Sequence, residues 1–148
     1  MEENLRFPLF VDLHGKRAVV VGGGKIALRR VKGLRDFGAD VTVIAPQLAQ
    51  PMEGITHLCR PYETGDLTGA FLAVAATNDR DVNRAVGEEA RRQSIPVSVA
   101  DRAEECTFFF PALCTGKGMI AGVVSDGTDH HKTAAAAKAI RAVLEELE

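Results

Sequence analysis

The stretch "KRAVVVGGGKIALRRVKGL", residues 16–34, decides the fold of this chain. Its β-branched run at 18–21 is typical of a buried strand, and three consecutive glycines follow that run. The apolar positions after the glycines recur at the spacing of one helix face: Ala27, Val31 and Leu34. Gly38 is placed to end that helix, and "DVTVIAP" at 40–46 predicts a second strand. Together these segments predict a βαβ unit with parallel strands and a right-handed crossover.

The alternation of strands and helices continues along the chain. Apolar runs predict further strands at 56–62, 70–76 and 95–100, and a helix at 77–93 that is capped by Asp79. Strands that alternate with helices indicate an α/β fold with a Rossmann-like, doubly wound parallel sheet.

The pattern changes after residue 105. "CTFFFPALCTGKGMIAGVVSDG" at 106–127 predicts two or three antiparallel strands, because no helical pattern separates them. A final helix is expected to start near Asp129, with an apolar stripe of four residues: Ile140, Val143, Leu144 and Leu147. This β-arm and helix are too small to fold alone. We therefore expect a Rossmann-like domain over residues 1–106 and a dimerisation arm over 107–148.

Composition excludes several classes of function. The net charge of -2 gives no general attraction to nucleic acid or to an anionic membrane. The longest apolar stretches are too short to span a bilayer, and no secretory signal is visible in the opening "MEENLR". Three cysteines without a Cys-x-x-Cys pair argue against a disulfide framework or a zinc knuckle, and favour small buried thiols in a reducing cytoplasm.

The glycine turn fits a dinucleotide fingerprint. Gly22-x-Gly24-x-x-Ala27 matches G-x-G-x-x-G/A, follows a predicted strand and opens a predicted helix. In that motif Gly22 permits the tight turn, and Gly24 lets backbone N–H groups approach a pyrophosphate at the helix N-terminus. The small Ala27 permits close packing of helix and sheet. The alternative is a purely structural turn in an α/β protein that binds another ligand.

The usual acidic residue for the adenosine ribose is missing. The second strand ends at Ile44-Ala45-Pro46-Gln47, so Gln47 or backbone groups would have to hold the ribose. No Arg or Lys stands nearby in the sequence to meet a 2′-phosphate. The sequence therefore favours NAD over NADP.

Polar residues also follow the fourth and fifth predicted strands. Thr77 and Asn78 stand where such folds bind ligands, and Asp79 beside them has a second reading as a helix cap. Asp101 is a candidate general base at the carboxyl end of strand five, with a turn-forming residue as the alternative.

Adjacent His130 and His131 point about 100° apart on a helix, so no metal site is expected.

Three stretches together are much more specific than the glycine fingerprint. "FPLFVDLHGKRAVVVGGGKIALRRVKGLRDFGADVTVIAP", "LAVAATNDRDVNRAV" and "VSVADRAEECTFFFPAL" occur in this order over residues 7 to about 125. They carry Pro8-Leu9-Phe10, the three glycines, Ala75-Ala76-Thr77 with Asn83, and Asp101 before an aromatic-Pro segment. The chain closely resembles precorrin-2 dehydrogenase, the dehydrogenase module of siroheme synthase.

The resemblance implies an NAD-dependent oxidation of precorrin-2 to sirohydrochlorin. It implies NAD contacts at Lys25 and Ile26 in the turn and at Pro46 and Gln47 after strand two. It also assigns Asp101 as the catalytic aspartate, accepting a proton while hydride passes to the nicotinamide. Members of the family are homodimers that exchange their β-arms, in agreement with the arm expected at 107–148.

Two departures from the family pattern limit what the resemblance implies. A Gly-Gly-x-Ser-Pro-like stretch is replaced here by Asp126-Gly127-Thr128-Asp129-His130. Many members continue into a further helical region beyond the position of Glu148, so metal chelatase activity is not expected of this chain.

The substrate's chemistry adds a further expectation. A polycarboxylate macrocycle needs cationic partners, and Arg102, Lys117 and Lys132 are candidates by position. The main alternative function is a non-catalytic NAD-sensing module, which needs neither Asp101 nor the β-arm and would bind NAD without turnover. A dehydrogenase for a small hydroxy acid or sugar ranks last, because its usual second domain is missing.

Overall fold

The computed structural model describes residues 5–127 and 129–148, which form two compact units. The larger unit is Asp12–Phe109, and the smaller unit joins the N-terminal residues up to Val11 with Phe110–Glu148. Within the smaller unit, Arg6 Nη1 donates a hydrogen bond to the carbonyl of Ser125 at 3.0 Å. The N-terminal segment therefore groups with the C-terminal part of the chain, a partition that local sequence patterns do not reveal.

The larger unit contains a five-stranded parallel sheet with the order β3-β2-β1-β4-β5. Its strands are β1 (Arg17–Val21), β2 (Asp40–Ile44), β3 (Thr56–Leu58), β4 (Leu72–Ala75) and β5 (Val97–Val99). Its helices are α1 (Lys25–Asp36), α2 (Arg80–Arg92) and a short 3-10 helix (Ala103–Glu105). This arrangement confirms the predicted Rossmann-like α/β fold.

The central strand β1 pairs in register with β2 and β4, and the three strands end at the same height in the sheet. Val21 is in register with Ile44 of β2 and with Ala75 of β4, and all three side chains are buried. These strands read as continuous apolar runs because both faces of the sheet are covered. Their carboxyl ends consequently meet at one edge, where the loops after β1, β2 and β4 lie side by side.

The predicted helix ends are confirmed, whereas the outer strands are shorter than predicted. Gly38 adopts a φ of +87° just after α1, and the Asp79 carboxylate accepts hydrogen bonds from the first-turn N–H groups of α2. Strand β3 ends at Leu58 rather than continuing to residue 62. Pro61 has no N–H for a sheet hydrogen bond, so the chain turns away there.

The smaller unit is an antiparallel hairpin with one helix. Strands β6 (Ala112–Gly116) and β7 (Met119–Val123) are joined by a tight turn, and α3 (His130–Glu145) follows. The structure has two strands here, and residues 106–111 form none. Asp129 caps α3 by accepting from the Lys132 N–H, as its position predicts.

The predicted apolar stripe of α3 is only partly buried. Leu144 packs in a small core with Cys114 and Ala137. Val143 and Leu147 are instead 59% and 41% exposed. The expectation of buried cysteines is also wrong for Cys59, which is exposed.

A buried carboxylate holds the connection between β3 and β4 (residues 59–71). Glu89 of α2 is 1% exposed and accepts hydrogen bonds from Tyr62 Oη at 2.5 Å, Gly65 N at 2.7 Å and Leu67 N at 2.9 Å. Gln93 Nε2 is a fourth donor at 3.2 Å. These bonds compensate the loss of water around the carboxylate, and they fix the connection against α2.

An ion pair between Arg60 and Asp66 joins two parts of the same connection. Arg60 donates from Nη1 and Nη2 to the two oxygens of Asp66 at 2.9 and 2.8 Å. The hydrogen bond from Arg60, opposed by desolvation and helped by the Glu63 N–H, holds the pKa of Asp66 below its usual range.

We expect Asp66→Asn to lower the thermal unfolding midpoint at pH 7 and to flatten its pH dependence in acid. Because the pKa is depressed in the folded state, the contribution is present above about pH 4 and is lost as the pH falls further. Thermal unfolding followed by circular dichroism across this range measures the effect. Asp36→Asn, which removes an exposed pair with Lys32, is the matched control and should change little. Equal acid dependence in Asp66→Asn and the unaltered protein would contradict the assignment.

Candidate functional site

A cleft of about 510 Å³ lies at the carboxyl edge of the parallel sheet. It is lined by residues that follow β1, β2, β3 and β4 and by the first turn of α2. Its size and its place at the point where the strand order reverses are those of a cofactor site in this class of fold. Seven of the predicted cofactor residues line it: Gly22, Gly23, Gly24, Pro46, Gln47, Thr77 and Asn78.

The first two glycines are required by close backbone contacts. A Cβ at Gly22 would lie 2.3 Å from the Ala76 carbonyl oxygen, and Gly22 has a φ of +128°. A Cβ at Gly23 would lie 2.0 Å from the Gln47 carbonyl oxygen. The turn is therefore wedged between the loops that follow β4 and β2. The fingerprint predicts a tight turn at Gly22 and no separate role for Gly23.

Gly24 is different because it opens onto space. A Cβ built there meets no atom within 4 Å, although Gly24 lines the cleft and is the N-cap of α1. The first N–H groups of a helix lack partners within the helix, and the helix dipole favours an anion beside them. The first turn of α1 carries no acidic residue that would oppose such an anion. The turn fits a pyrophosphate, as the fingerprint predicts.

The loop after β2 is tied to the glycine turn. The Ala49 N–H donates to the Gly23 carbonyl at 2.7 Å, and His57 Nε2 lies 2.8 Å from the Ala45 carbonyl oxygen. This holds Pro46 and Gln47 at the wall of the cleft. Among the cleft residues that the structure describes, none is Lys or Arg, and the sole acid is Asp79.

A buried amide fixes the opposite wall. Asn83 is fully buried, and its Oδ1 accepts from Thr77 N at 3.0 Å and from Thr77 Oγ1 at 2.7 Å. Its Nδ2 donates to the Thr77 carbonyl at 3.1 Å. Thr77 therefore keeps one conformation at the edge of the cleft. The capping role of Asp79 is confirmed, and cofactor contacts by Thr77 and Asn78 stay predictions.

Asp101 lies on the same edge of the sheet, beyond the end of β5 and outside the lining of the cleft. Its Oδ1 accepts from Arg80 Nη1 at 2.8 Å, and its side chain is 40% exposed. The other arm of Arg80 pairs with Glu105 at 2.6 Å. Sequence analysis did not identify Arg80. A signal was available, because a cation in the first turn of a helix opposes the helix dipole and needs an acidic partner.

The remaining predicted residues are dispersed. Lys25 and Ile26 are the first residues of α1 rather than part of the turn, which corrects the prediction of their place. Neither of them lines the cleft, so the groups that this helix turn offers to a cofactor are its backbone N–H groups. Arg102 is exposed beside Asp101, and Lys117 and Lys132 belong to the smaller unit. Of the divergent segment 126–130, Thr128 lies outside the described residues.

The described residues provide neither a metal site nor a membrane-spanning helix. Across residues 5–127 and 129–148, no group of three His, Cys, Asp or Glu residues is placed to hold a metal ion. In the same part of the chain, no helix has the length and apolar character needed to cross a membrane.

The cleft also contains residues that sequence analysis did not identify. Pro61 and Tyr62 form part of its wall, together with Val82 of α2. Pro61 and Tyr62 were missed because residues 56–62 are predicted to form a strand. Pro61 was an available signal that the strand ends before Tyr62, since proline has no N–H for a sheet hydrogen bond.

The chain is similar to a known domain family and to proteins of siroheme biosynthesis. A family model described as "Putative NAD(P)-binding" matches residues 9–112. The chain is 45% identical over 133 residues to "Probable multifunctional siroheme biosynthesis protein HemA" of Ruminiclostridium josui, covering 85% of this chain and 26% of that protein. It is 43% identical over 127 residues to "Siroheme synthase" of Methylobacillus flagellatus, covering 82% and 27%. The chain thus spans about a quarter of the length of these relatives.

A solved structure is also similar. "SirC, precorrin-2 dehydrogenase" superimposes with a TM-score of 0.76 at 27% sequence identity, covering 95% of this chain and 72% of that chain. These matches confirm the resemblance on which the sequence analysis relied.

We expect Gly24→Ala to affect NAD binding and Gly22→Ala to affect stability. Gly24→Ala should keep the free energy of unfolding within about 1 kcal/mol, because its Cβ enters open space. It should weaken NAD binding by roughly tenfold or more, about 1.4 kcal/mol, by narrowing the pyrophosphate site. Gly22→Ala should lower stability, since its Cβ meets the Ala76 carbonyl. Urea unfolding and calorimetric NAD titration measure the two effects. Unchanged NAD affinity in a folded Gly24→Ala protein would remove the glycine turn from the cofactor site.

Proposed function

Because this chain belongs to the NAD(P)-binding family, we propose that it is an NAD-dependent dehydrogenase that oxidises precorrin-2 to sirohydrochlorin in siroheme biosynthesis. The observation that carries the proposal is the open glycine turn on the same sheet edge as Asp101. The names of the relatives support the substrate, since one is a precorrin-2 dehydrogenase and others are siroheme synthases.

The described residues fit NAD better than NADP. Gly24 and the first turn of α1 would hold the pyrophosphate, and the loop at Pro46 and Gln47 would meet the adenosine ribose. No cation lines the described part of the cleft to neutralise a 2′-phosphate. When bound, NAD supplies a hydride acceptor, and the chain contributes orientation and proton transfer.

The reaction removes a hydride and a proton from the substrate. The hydride pair goes to the nicotinamide, and the proton goes to a base on the protein. Asp101 is suited to this role because Arg80 holds one carboxylate oxygen, Oδ1. The other oxygen, Oδ2, has no hydrogen-bond partner among the described residues. It is therefore available to accept the proton from a substrate carbon placed beside the nicotinamide.

The substrate's carboxylates require cationic partners, and we assign Arg102 and Lys117 to them, with Lys132 as a third candidate. Arg102 is exposed and directly follows Asp101, so a carboxylate bound there would lie close to the reacting edge. Lys117 stands in the turn of the β6–β7 hairpin, where its backbone has a φ of +51°. Metal chelation is not part of this proposal.

The smaller unit is proposed to form a homodimer in the cytoplasm. Large apolar side chains are left exposed on its N-terminal segment, including Phe7 at 88% and Phe10 at 73%, and Met119 of the hairpin is 53% exposed. Such a concentration of exposed apolar side chains is typical of an interaction surface.

The proposed location in the cytoplasm agrees with three free cysteines, which are typical of a reducing compartment.

The activity is tested under anaerobic conditions with precorrin-2 and NAD, following NADH and sirohydrochlorin together. The unaltered protein should form both products in equal amounts, and NADP should support a lower rate. Asp101→Asn should lower the rate by roughly 10²-fold or more, as expected for loss of a general base, with unchanged NAD affinity. Glu104→Gln, which alters an exposed acid of the 3-10 helix that follows Asp101, is the matched control and should keep the full rate. Full activity in Asp101→Asn would exclude its role as the base, and NAD binding without turnover would favour the sensing module.

The dimer is tested by light scattering coupled to size-exclusion chromatography. The mass of one chain is 15.9 kDa, and the unaltered protein should have twice that mass. The double variant Phe7→Ser, Phe10→Ser should shift towards the mass of the monomer. Phe71→Ser, which alters a 38% exposed aromatic residue of the larger unit, should remain dimeric. A monomeric unaltered protein at micromolar concentration would contradict this proposal.

A further inference from the structure

The wall of the cleft contains an aromatic ring that has no role in the function proposed above. Tyr62 lies in the β3–β4 connection and lines the cleft, and it packs against the main core cluster of the larger unit. It is partly exposed, so one part of the ring faces the cleft while the rest is held by protein.

The ring is held at its hydroxyl end by the buried carboxylate described above. Tyr62 Oη donates to Glu89 Oε1 at 2.5 Å, and Glu89 is 1% exposed. Burial, together with the hydrogen bond to Glu89, raises the pKa of Tyr62. The hydroxyl therefore stays a donor at neutral pH, and the ring keeps one orientation.

The position of Tyr62 corresponds to the adenosine half of a bound dinucleotide. In this fold the pyrophosphate lies at the glycine turn, and the adenosine ribose lies at the end of β2. β3 pairs with β2, with Leu58 in register with Ile44, and Tyr62 follows β3 on that side of the turn. Several apolar residues line the same cleft, among them Pro46, Pro61 and Val82.

An adenine ring is flat, aromatic and uncharged, and it gains most from an apolar wall with an aromatic face or edge. The wall around Tyr62 offers such a surface. Because the acid that usually holds the adenosine ribose is missing, contact with the base is a way to compensate for the lost ribose hydrogen bonds.

We propose that Tyr62 receives the adenine base of the bound dinucleotide and that Glu89 is the positioning residue that orients its ring. This inference rests on the NAD(P)-binding family and extends the proposed NAD site, but it does not depend on the tetrapyrrole substrate. It adds a specificity element to the lining of the cleft, separate from Thr77, which Asn83 fixes.

The composition of the chain supplies a direct test. Tyr62 is the one tyrosine, and the sequence has no tryptophan, so tyrosine fluorescence of the protein reports on this ring alone. The probes are ADP-ribose, which has the adenine and pyrophosphate without nicotinamide, and nicotinamide mononucleotide, which lacks adenine. ADP-ribose should quench the fluorescence in a saturable way, with a Kd equal to that from calorimetry. Nicotinamide mononucleotide should leave it unchanged. Calorimetric binding of ADP-ribose without a fluorescence change, or no binding of ADP-ribose at all, would overturn the proposal.

Variants separate the two residues. Tyr62→Leu should weaken ADP-ribose binding by roughly 5-fold to 100-fold, the range for losing one base–aromatic contact, and should leave nicotinamide mononucleotide binding unchanged. Tyr62→Phe keeps the ring and should stay within about threefold of the unaltered protein. Phe71→Leu removes an aromatic ring outside the cleft lining and is the matched control. An equal effect of Tyr62→Leu and Phe71→Leu on ADP-ribose would contradict the adenine contact.

The role of Glu89 has its own readout. Glu89→Gln should weaken ADP-ribose binding by an amount between those of Tyr62→Phe and Tyr62→Leu, and should not affect nicotinamide mononucleotide. A merely structural role would weaken both ligands together, and that result would overturn the assignment of Glu89. If Glu89→Gln does not fold, Tyr62→Phe tests the same hydrogen bond, because it removes the hydroxyl that donates to Glu89. A weakening of ADP-ribose binding within the threefold given above supports the role of Glu89, and no weakening contradicts it. None of these measurements uses precorrin-2, so their failure and the failure of the oxidation assay are distinguishable.

Discussion

The site depends on the close approach of the glycine turn to the loops on either side of it. Val21, the last residue of β1, is in register with Ile44 at the end of β2 and with Ala75 at the end of β4. The glycine turn that follows β1 therefore lies between the ends of these two strands. The carbonyls of Ala76 and Gln47 occupy the space where a Cβ of Gly22 or Gly23 would lie. A side chain at either position would push these loops apart. The width of the cleft is therefore set by backbone packing, and the loops that line it need no flexibility to form it.

Helix α2 carries the polar residues that organise the rest of the site. Asn83 fixes Thr77 on one wall, Glu89 fixes Tyr62 on another, and Arg80 holds Asp101 beyond the end of β5. Asn83 and Glu89 are buried, and each has at least three hydrogen bonds that offset the cost of burial. Such satisfied networks rigidify their surroundings. A single helix thereby coordinates the cofactor wall and the candidate base.

The larger part of this architecture could be predicted from the sequence. The glycine turn, the helix end at Gly38 and the cap at Asp79 follow from short-range backbone requirements that a single stretch of chain displays. The predicted strands were less accurate at their ends, as at β3, where pairing with β2 continues only to Leu58. The exposure of Val143 and Leu147 was not predictable, because a helical stripe does not tell which part of it meets the β-hairpin.

By itself, the sequence determined the Rossmann-like fold, the place of the glycine turn and the neighbouring loops at Pro46 and Thr77. These features are encoded locally, in hydrophobic periodicity and in residues with special backbone conformations. Tertiary structure alone decided that Tyr62 lies at the cleft, that Glu89 and Asn83 are buried hydrogen-bond centres, and that Arg80 pairs with Asp101. These relations join residues from 6 to 27 positions apart in the chain. They arise because folding brings the ends of separate strands and the faces of helices together at one edge of the sheet. No local sequence pattern contains that information.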